Sequence, residues 1–491
     1  MDLVVALDAG TTGVRALALD HDTRVVTDAY RPLTQHFPSP GLVEHDAAEI
    51  ADLAVAVLRE VAEWAVINHH RVVAVGITNQ RETTVAFDRE TGHVPHRAIV
   101  WQDRRGVAYC DELRAAGHEP QVRATTGLVL DSYFSATKMH WFLESGVLDG
   151  AIAPAFATVD SWLLWWLTGG VDSGVFATEA SNASRTLLLD LTTLEWSPDM
   201  CALFGVDSAM LPLVLPSAIR FGDIHADVVP ELAGVPITGV LGDQQAALFG
   251  QACFEPGMVK ATYGTGAFVL AQYGTDVPPL ADGLVTTAAW DLGAFGPASY
   301  AYEGSAFVAG AAIQWLRDEL QLITASDEIE PLALNVPDSG GALFVPAFTG
   351  LGSPFWRGDA RGALIGLSRA VGRGQIARAV IESIAYEVRA MTDAFVAAGL
   401  DVAELRADGG AAVMDTLLGL QATLSRTTVR RSASLEATAR GAATLAGLEI
   451  GLWHSTEDLA QRWSQSAEFA PEDPVFADVG YDAWLAMVAR V

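Results

Sequence analysis

Positive charge is what this chain has least of. Lys and Arg together number 30 against 60 Asp and Glu, a formal net charge of -30 over 491 residues. Binding to a phosphate backbone needs clustered Lys and Arg, so the composition argues against a nucleic-acid partner. The acidity reads as solubility. It still leaves room for a phosphate ligand, because screening over ~8 Å hands that question to local groups. Cysteine is scarce as well. Cys110, Cys201 and Cys253 stand far apart with no CxxC pair, so no zinc site is indicated, and so few thiols suit a reducing cytoplasm or simply an absence of disulfides. No apolar run approaches the ~18 residues of a membrane span; Trp162–Leu167 is too short and reads as core. The opening "MDLVVALDAG" has no basic n-region and carries Asp2 and Asp8, so it reads as a strand and not a signal peptide. GxxxxGK[ST] is missing, as are G-x-G-x-x-G after a strand and G-x-S-x-G; a P-loop, a dinucleotide site and a hydrolase elbow are unsupported. The 11 histidines show no ligand spacing.

What is present is apolar. Hydrophobic residues make up 51% and charged residues 18%, ample for large cores, and the length suggests roughly two to four domains. The segments 3–8, 14–20 and the run "RVVTDAY" read as three antiparallel strands laid down before any helix. A helix starts near Asp46, with Glu49 three residues on as a capping box, and Ile50, Leu53, Ala54, Val57, Leu58 and Val61 keep helical spacing. "RVVAVGIT" reads as a buried strand. The second half repeats the theme. "GMVKATY" and "AFVLAQY" flank a tight turn, a long helix is expected over 305–320, an amphipathic helix over 374–398, and "ATARGAATLAGL" is a small-residue helix able to approach a neighbour closely. The echo suggests two related α/β domains, 1–250 and 251–491, facing a cleft, where ligands commonly bind.

The chemistry sits in the turns. Asp8-Ala9-Gly10-Thr11-Thr12-Gly13 follows an apolar strand. Its glycines let successive N–H groups converge, its threonines add hydroxyls, Arg15 adds a charge, and Asp8 could face a metal through water. That describes a phosphate cradle with Mg²⁺, and equally a plain hairpin. Gly264-Thr265-Gly266 and Asp408-Gly409-Gly410-Ala411 are two further glycine sites, each readable as an ordinary turn. Asn79-Gln80-Arg81-Glu82 lies between apolar strands, Trp101 follows another apolar run, and Tyr133 sits in a polar loop. Aromatic faces with convergent carboxylate, amide and guanidinium groups can hold a small polyol; each group alone can also be structural. Asp243-Gln244-Gln245 interrupts an apolar strand-to-helix junction, where unpaired polar groups are costly.

Together the motifs "ALDAGTTGVRAL", "GITNQRETT", "IVWQDRR", "TGLVLDSYFSATK", "NASRTLL", "GDQQAALFGQ", "TYGTGAF", "AGAAIQWLRDE", "PAFTGLGSPFW" and "DGGA" resemble, in order and over essentially the whole chain, the glycerol-kinase branch of the FGGY carbohydrate kinases. The resemblance implies the actin-like (ribonuclease H-like) ATPase fold, two α/β domains with a deep interdomain cleft. It implies Mg²⁺-dependent transfer of the γ-phosphoryl group of ATP to glycerol in the cytoplasm, by a homo-oligomer (dimer or tetramer). Arg81, Glu82, Tyr133, Asp243 and Gln244 would hold glycerol, with Trp101 and Phe268 as the apolar wall and Asp243 as general base. Thr11, Thr12, Gly13, Arg15 and Thr265 would hold phosphates, and Gly310, Gln314, Gly410, Ala411 and Met414 would line the nucleoside site. Asp8 and Asp243 would approach Mg²⁺.

Four positions depart from that pattern. Ala9 and Gly13 stand where the family commonly has Gln and Ser, so one phosphate-binding hydroxyl is lost. Met414 replaces an Asn whose amide would contact adenine, and a thioether cannot replace an amide's donor and acceptor. Phe355 replaces a Tyr. The Gly/Lys/Arg-rich loop that binds fructose 1,6-bisphosphate in some relatives is absent before "GDQQ", which implies no inhibition by that metabolite. A kinase for another small polyol or ketose, and a non-catalytic nucleotide-binding regulator on the same fold, are the alternatives.

Overall fold

The computed structural model describes residues 1–472 and 475–491. Strand β1 (Asp2–Ala9) turns into β2 (Gly13–Leu19), which pairs antiparallel with it and with β3 (Val25–Pro32). Helix α1 (Ala47–Ile67) returns the chain to β4 (Arg71–Asn79), parallel to β1. Strands β5 (Ala218–Asp223) and β6 (Pro236–Gly242) complete a six-stranded sheet in the order β5-β6-β4-β1-β2-β3. Asp46 caps α1 by accepting from the amides of Ala48 and Glu49. The expected capping box is only half made. Glu49 turns away and accepts from Thr34 N and Oγ1 at 3.2 and 2.8 Å, two donors within reach of one carboxylate.

Helix α2 (Asp243–Gly250) leads into the second half: β7 (Met258–Tyr263), β8 (Ala267–Gly274), β9 (Val285–Trp290), β10 (Ser299–Ala306), α3 (Gly310–Asp318), α4 (Arg373–Ala397), β11 (Glu404–Asp408), β12 (Val429–Ser432), α5 (Ala437–Glu449) and β13 (Gln465–Phe469). The second sheet runs β9-β10-β8-β7-β11-β12-β13. Its centre repeats the first. A strand with an antiparallel hairpin partner on one side and a parallel strand on the other describes both β2-β1-β4 and β8-β7-β11. The helix expected over 305–320 is shorter than its pattern. Residues 305 and 306 belong to β10, paired with Phe268 and Ala267, and the helix waits until Gly310, whose amide first bonds to the carbonyl of Gly264. Pairing with β8 wins over helical propensity there.

Two short helices exchange sides. α2, from the first half, packs on β7, β8 and β9 of the second sheet; α5, from the second half, covers β1, β4, β5 and β6 of the first. α2 and α5 also cross each other at backbone distance. A Cβ on Gly441 would fall onto the carbonyl oxygen of Ala246, and one on Gly250 onto that of Ala437. Gly76 and Gly239 admit α5 to the sheet in the same way, against Ala442 and Ala446. The small-residue helix read in the sequence is this element, and it carries a cluster of buried residues that spans both halves.

Candidate active site

The C-terminal ends of β1, β4 and β6 lie side by side in the first sheet, as those of β7 and β11 do in the second. The β1–β2 turn is closed by a bond from Gly10 N to Gly13 O at 3.0 Å. Trp101 Nε1 donates to Thr11 Oγ1 at 2.9 Å, which ties the turn to the aromatic wall. Trp101 meets Tyr133 edge-on at 5.6 Å between ring centroids and Phe268 at 6.3 Å, so three expected substrate residues do form one wall. A cavity of 600 Å³ opens over Trp101 and Tyr133 and reaches Thr265 and Phe307 across the cleft.

Behind the wall lies a buried ion network. Arg81 donates both Nη atoms to Glu303, at 2.7 and 2.8 Å, and Nη1 also to Gln245 Oε1 at 3.1 Å. Its Nε stands 3.2 Å from Asp243 Oδ1. Arg185 Nε donates to Glu82 Oε1 at 2.7 Å, and its Nη1 lies 3.2 Å from Glu303 Oε2. Burial alone would push Glu303 up, but Arg185 and Arg81 hold its carboxyl down at about 2. Glu82 is raised, because burial outweighs the two arginines beside it. Glu82 also has a φ of 61°, a left-handed backbone that costs a non-glycine residue energy and is found at functional sites. The Arg81–Glu303 pair is bidentate and sealed from water, and stands in place of the surface ion pair that Arg81-Glu82 could have been.

The three polar residues at the β6–α2 junction part company. Gln245 serves Arg81 and Thr287. Gln244 accepts from Lys260 Nζ. Asp243 is the most open of the three, with a side chain 29% exposed to the cleft. Asp8 lies close to it. Burial, then the Asp243 charge, push the Asp8 carboxyl up to about 7. Arg15, expected on a phosphate, is paired with Glu436 at the start of α5 and with Asp28. Thr12 is exposed on the turn, and Gly13 is buried.

On the opposite wall, a cavity of 530 Å³ is lined by Thr265, Gly310, Gln314, Gly410, Ala411 and Met414. All six residues expected of the nucleotide site from the second half thus share one space. Gly409, with φ 89°, has no room for a side chain, since a Cβ would stand 2.6 Å from Tyr263 O. Gly410 faces open space. Met414 is buried in the cavity wall.

The reading from sequence missed Glu303, Arg185, Lys138 and Lys260. Lys138 donates to the carbonyls of Ser132, Tyr133 and Phe134, holding the Tyr133 loop. Burial pulls both lysines down to about 8. A signal was available: these are the chain's only lysines, and a residue so rare has a reason to be where it is.

The sequence matches the FGGY family of carbohydrate kinases, N-terminal domain, over residues 3–250 and the C-terminal domain of that family over 259–450. The chain belongs to the FGGY family of carbohydrate kinases. Among FGGY relatives, it is 48% identical to a glycerol kinase of Leptothrix cholodnii, covering 96% of each chain. It is 46% identical to one of Stenotrophomonas maltophilia, covering 99% of this chain and 97% of that one. The crystal structure of Plasmodium falciparum glycerol kinase with ADP superposes with a TM-score of 0.91 at 32% identity, over 100% of this chain and 98% of that one. The fold of this FGGY kinase is accordingly the two-domain actin-like ATPase fold. Among the described residues, no helix is long and apolar enough to cross a membrane.

Proposed function

We propose that this chain is a glycerol kinase, transferring the γ-phosphoryl group of ATP to a terminal hydroxyl of glycerol. One observation carries the reading. A half-open carboxylate, Asp243, stands where the aromatic wall, the Arg81–Glu303 pair and the β1–β2 turn meet. Trp101 and Phe268 would take the C–H face of the triol, while Arg81, Glu82 and Tyr133 bond its hydroxyls. Gln244 fits this set through its amide nitrogen, its oxygen being engaged by Lys260. Asp243 accepts the proton of the attacking hydroxyl as that oxygen bonds to the γ-phosphorus and the bond to the ADP oxygen breaks. Phosphoryl transfer asks mainly for position and charge, so a weak base in line suffices. The β1–β2 turn with Thr11, Thr12, Gly13 and Arg15, and Thr265 opposite, would hold the phosphates. Gly310, Gln314, Gly410, Ala411 and Met414 would receive the nucleoside. Approach of the two domains would keep water from the phosphoryl group.

Mg²⁺ is part of this reading. No group of three or more His, Cys, Asp or Glu among the described residues could hold a metal ion unaided. Mg²⁺ keeps several waters and leans on one or two carboxylates plus substrate phosphates. Asp8 and Asp243, whose charges repel in its absence, fit that role. The ion would neutralise charge on the phosphates. The reading places the chain in the cytoplasm, as a homodimer or homotetramer by resemblance.

ADP release with Mg·ATP and glycerol, beside dihydroxyacetone, xylulose, erythritol and no acceptor, tests the proposal. Turnover with glycerol that falls by about 10²–10⁴ in Asp243→Asn is the expected result. Turnover with another acceptor alone would move the substrate, and none with any acceptor would sink the activity.

A further inference from the structure

The β1–β2 turn lacks a side chain at its last position, and something else fills the gap. Register places Asp8 opposite Arg15 and Arg15 opposite Tyr30, so these three form one row across β1, β2 and β3. Gly13, two residues before Arg15, faces the same way. The Tyr30 ring leans over it. A Cβ built on Gly13 would lie 2.5 Å from Cε2 and Cζ of Tyr30, with the phenol oxygen nearer still. Arg15 lies over the ring, its Cζ 5.6 Å from the centroid. Tyr30 is 44% exposed, yet its hydroxyl is not idle: it donates to Thr12 O at 3.2 Å, a long bond to the turn itself.

We infer that Tyr30 is a nucleotide-binding residue of this kinase, its phenol hydroxyl supplying the side-chain donor that position 13 lacks. The inference rests on the reading of the β1–β2 turn as the phosphate cradle. The donor's position follows from packing: only a glycine at 13 lets the ring lie against the turn, and the ring then brings a hydroxyl to the space a serine side chain would use. Phosphate oxygens accept more strongly than a backbone carbonyl, so bound nucleotide would draw the phenol proton from Thr12 O. No proton is transferred and no bond to phosphorus is made. Tyr30 holds a phosphate oxygen and thereby sets affinity for nucleotide.

The test separates binding from folding and from chemistry. Tyr30→Phe keeps the ring and its packing and removes only the donor. Its KM for Mg·ATP is expected to rise roughly five- to ten-fold, with kcat within two-fold, KM for glycerol unchanged and melting temperature unchanged. Gly13→Ser alone is expected to lower the melting temperature, because its Cβ meets the ring. Gly13→Ser with Tyr30→Ala returns a hydroxyl from the other strand and should bring KM for Mg·ATP back to within about two-fold of the parent. An unchanged KM for Mg·ATP in Tyr30→Phe, in an active parent enzyme, overturns the role of Tyr30 and leaves the kinase reading standing. A parent that neither binds nor turns over Mg·ATP overturns both. A rise in KM for both substrates, or a fall in melting temperature equal to that of Tyr30→Ala, would make Tyr30 a packing residue only.

Discussion

Asp8 is held against its own preference. Burial, then the Asp243 charge, push its carboxyl from an ordinary value of 3.8 up to about 7. Between those values the folded chain keeps a proton that the unfolded chain has released. Stability contributed by the protonated group is therefore complete at low pH and lost as pH rises from about 4 through 7. Asp8→Asn cannot ionise and escapes that loss. Without nucleotide or Mg²⁺, the variant should be more stable than the parent at pH 8, by about 1–2 kcal/mol after discounting for partial exposure, and the difference should shrink at pH 5. Calorimetric scans at the two pH values measure it; a difference independent of pH would remove the argument. If Asp8 approaches Mg²⁺ as proposed, the same variant should also lose kcat/KM. At the β6–α2 junction the polar Asp243 in an apolar frame is visible in the sequence, whereas the bracing of Lys260 by Gln244 and of Arg81 by Gln245 is not, because both partners are far along the chain.

At the scale of elements, the crossing of α2 and α5 depends on two glycines, Gly250 and Gly441. Gly441→Ala would drive a methyl group into the carbonyl of Ala246 within a buried layer. Overpacking of this kind costs typically 1–3 kcal/mol, and more where only backbone can yield. A denaturant titration should show that loss, while Gly410→Ala, which meets nothing within 4 Å, should leave the midpoint in place. Equal midpoints for the two variants would contradict the close approach. Much of this level was legible in the sequence. The hairpin strands, α1, α4 and the small-residue helix follow from local periodicity and composition. The partner of that helix did not, because its small face fits a groove made by Gly76, Gly239 and Gly250, residues far from it along the chain. The start of α3 differs from its sequence pattern for a related reason, since the residues that hold Ser305 and Ala306 in β10, Phe268 and Ala267, belong to a strand well upstream.

Across the whole molecule, the two halves are joined in their interior by charge. Arg81, Glu82 and Arg185 come from the first half, Glu303 from the second, and all four side chains are at most 2% exposed. Removing one partner of such a set leaves an uncompensated buried charge. Glu303→Gln should cost about 3–5 kcal/mol and raise KM for glycerol more than KM for Mg·ATP, because Arg81 would lose the clamp that aims it. A stable variant with unchanged KM for glycerol would show that Arg81 is held by other means. Lys260 belongs to the same interior, 0% exposed and bonded to Gln244 of the first half; Lys138, 1% exposed, is held within the first half, and the chain has no other lysine. Apart from its N-terminus, then, the protein shows the solvent no primary amine. Lys260 is sealed by a residue of the other half, so the rate at which an amine-directed reagent consumes it is a clock for the parting of the halves, and any ligand that holds them together should slow it.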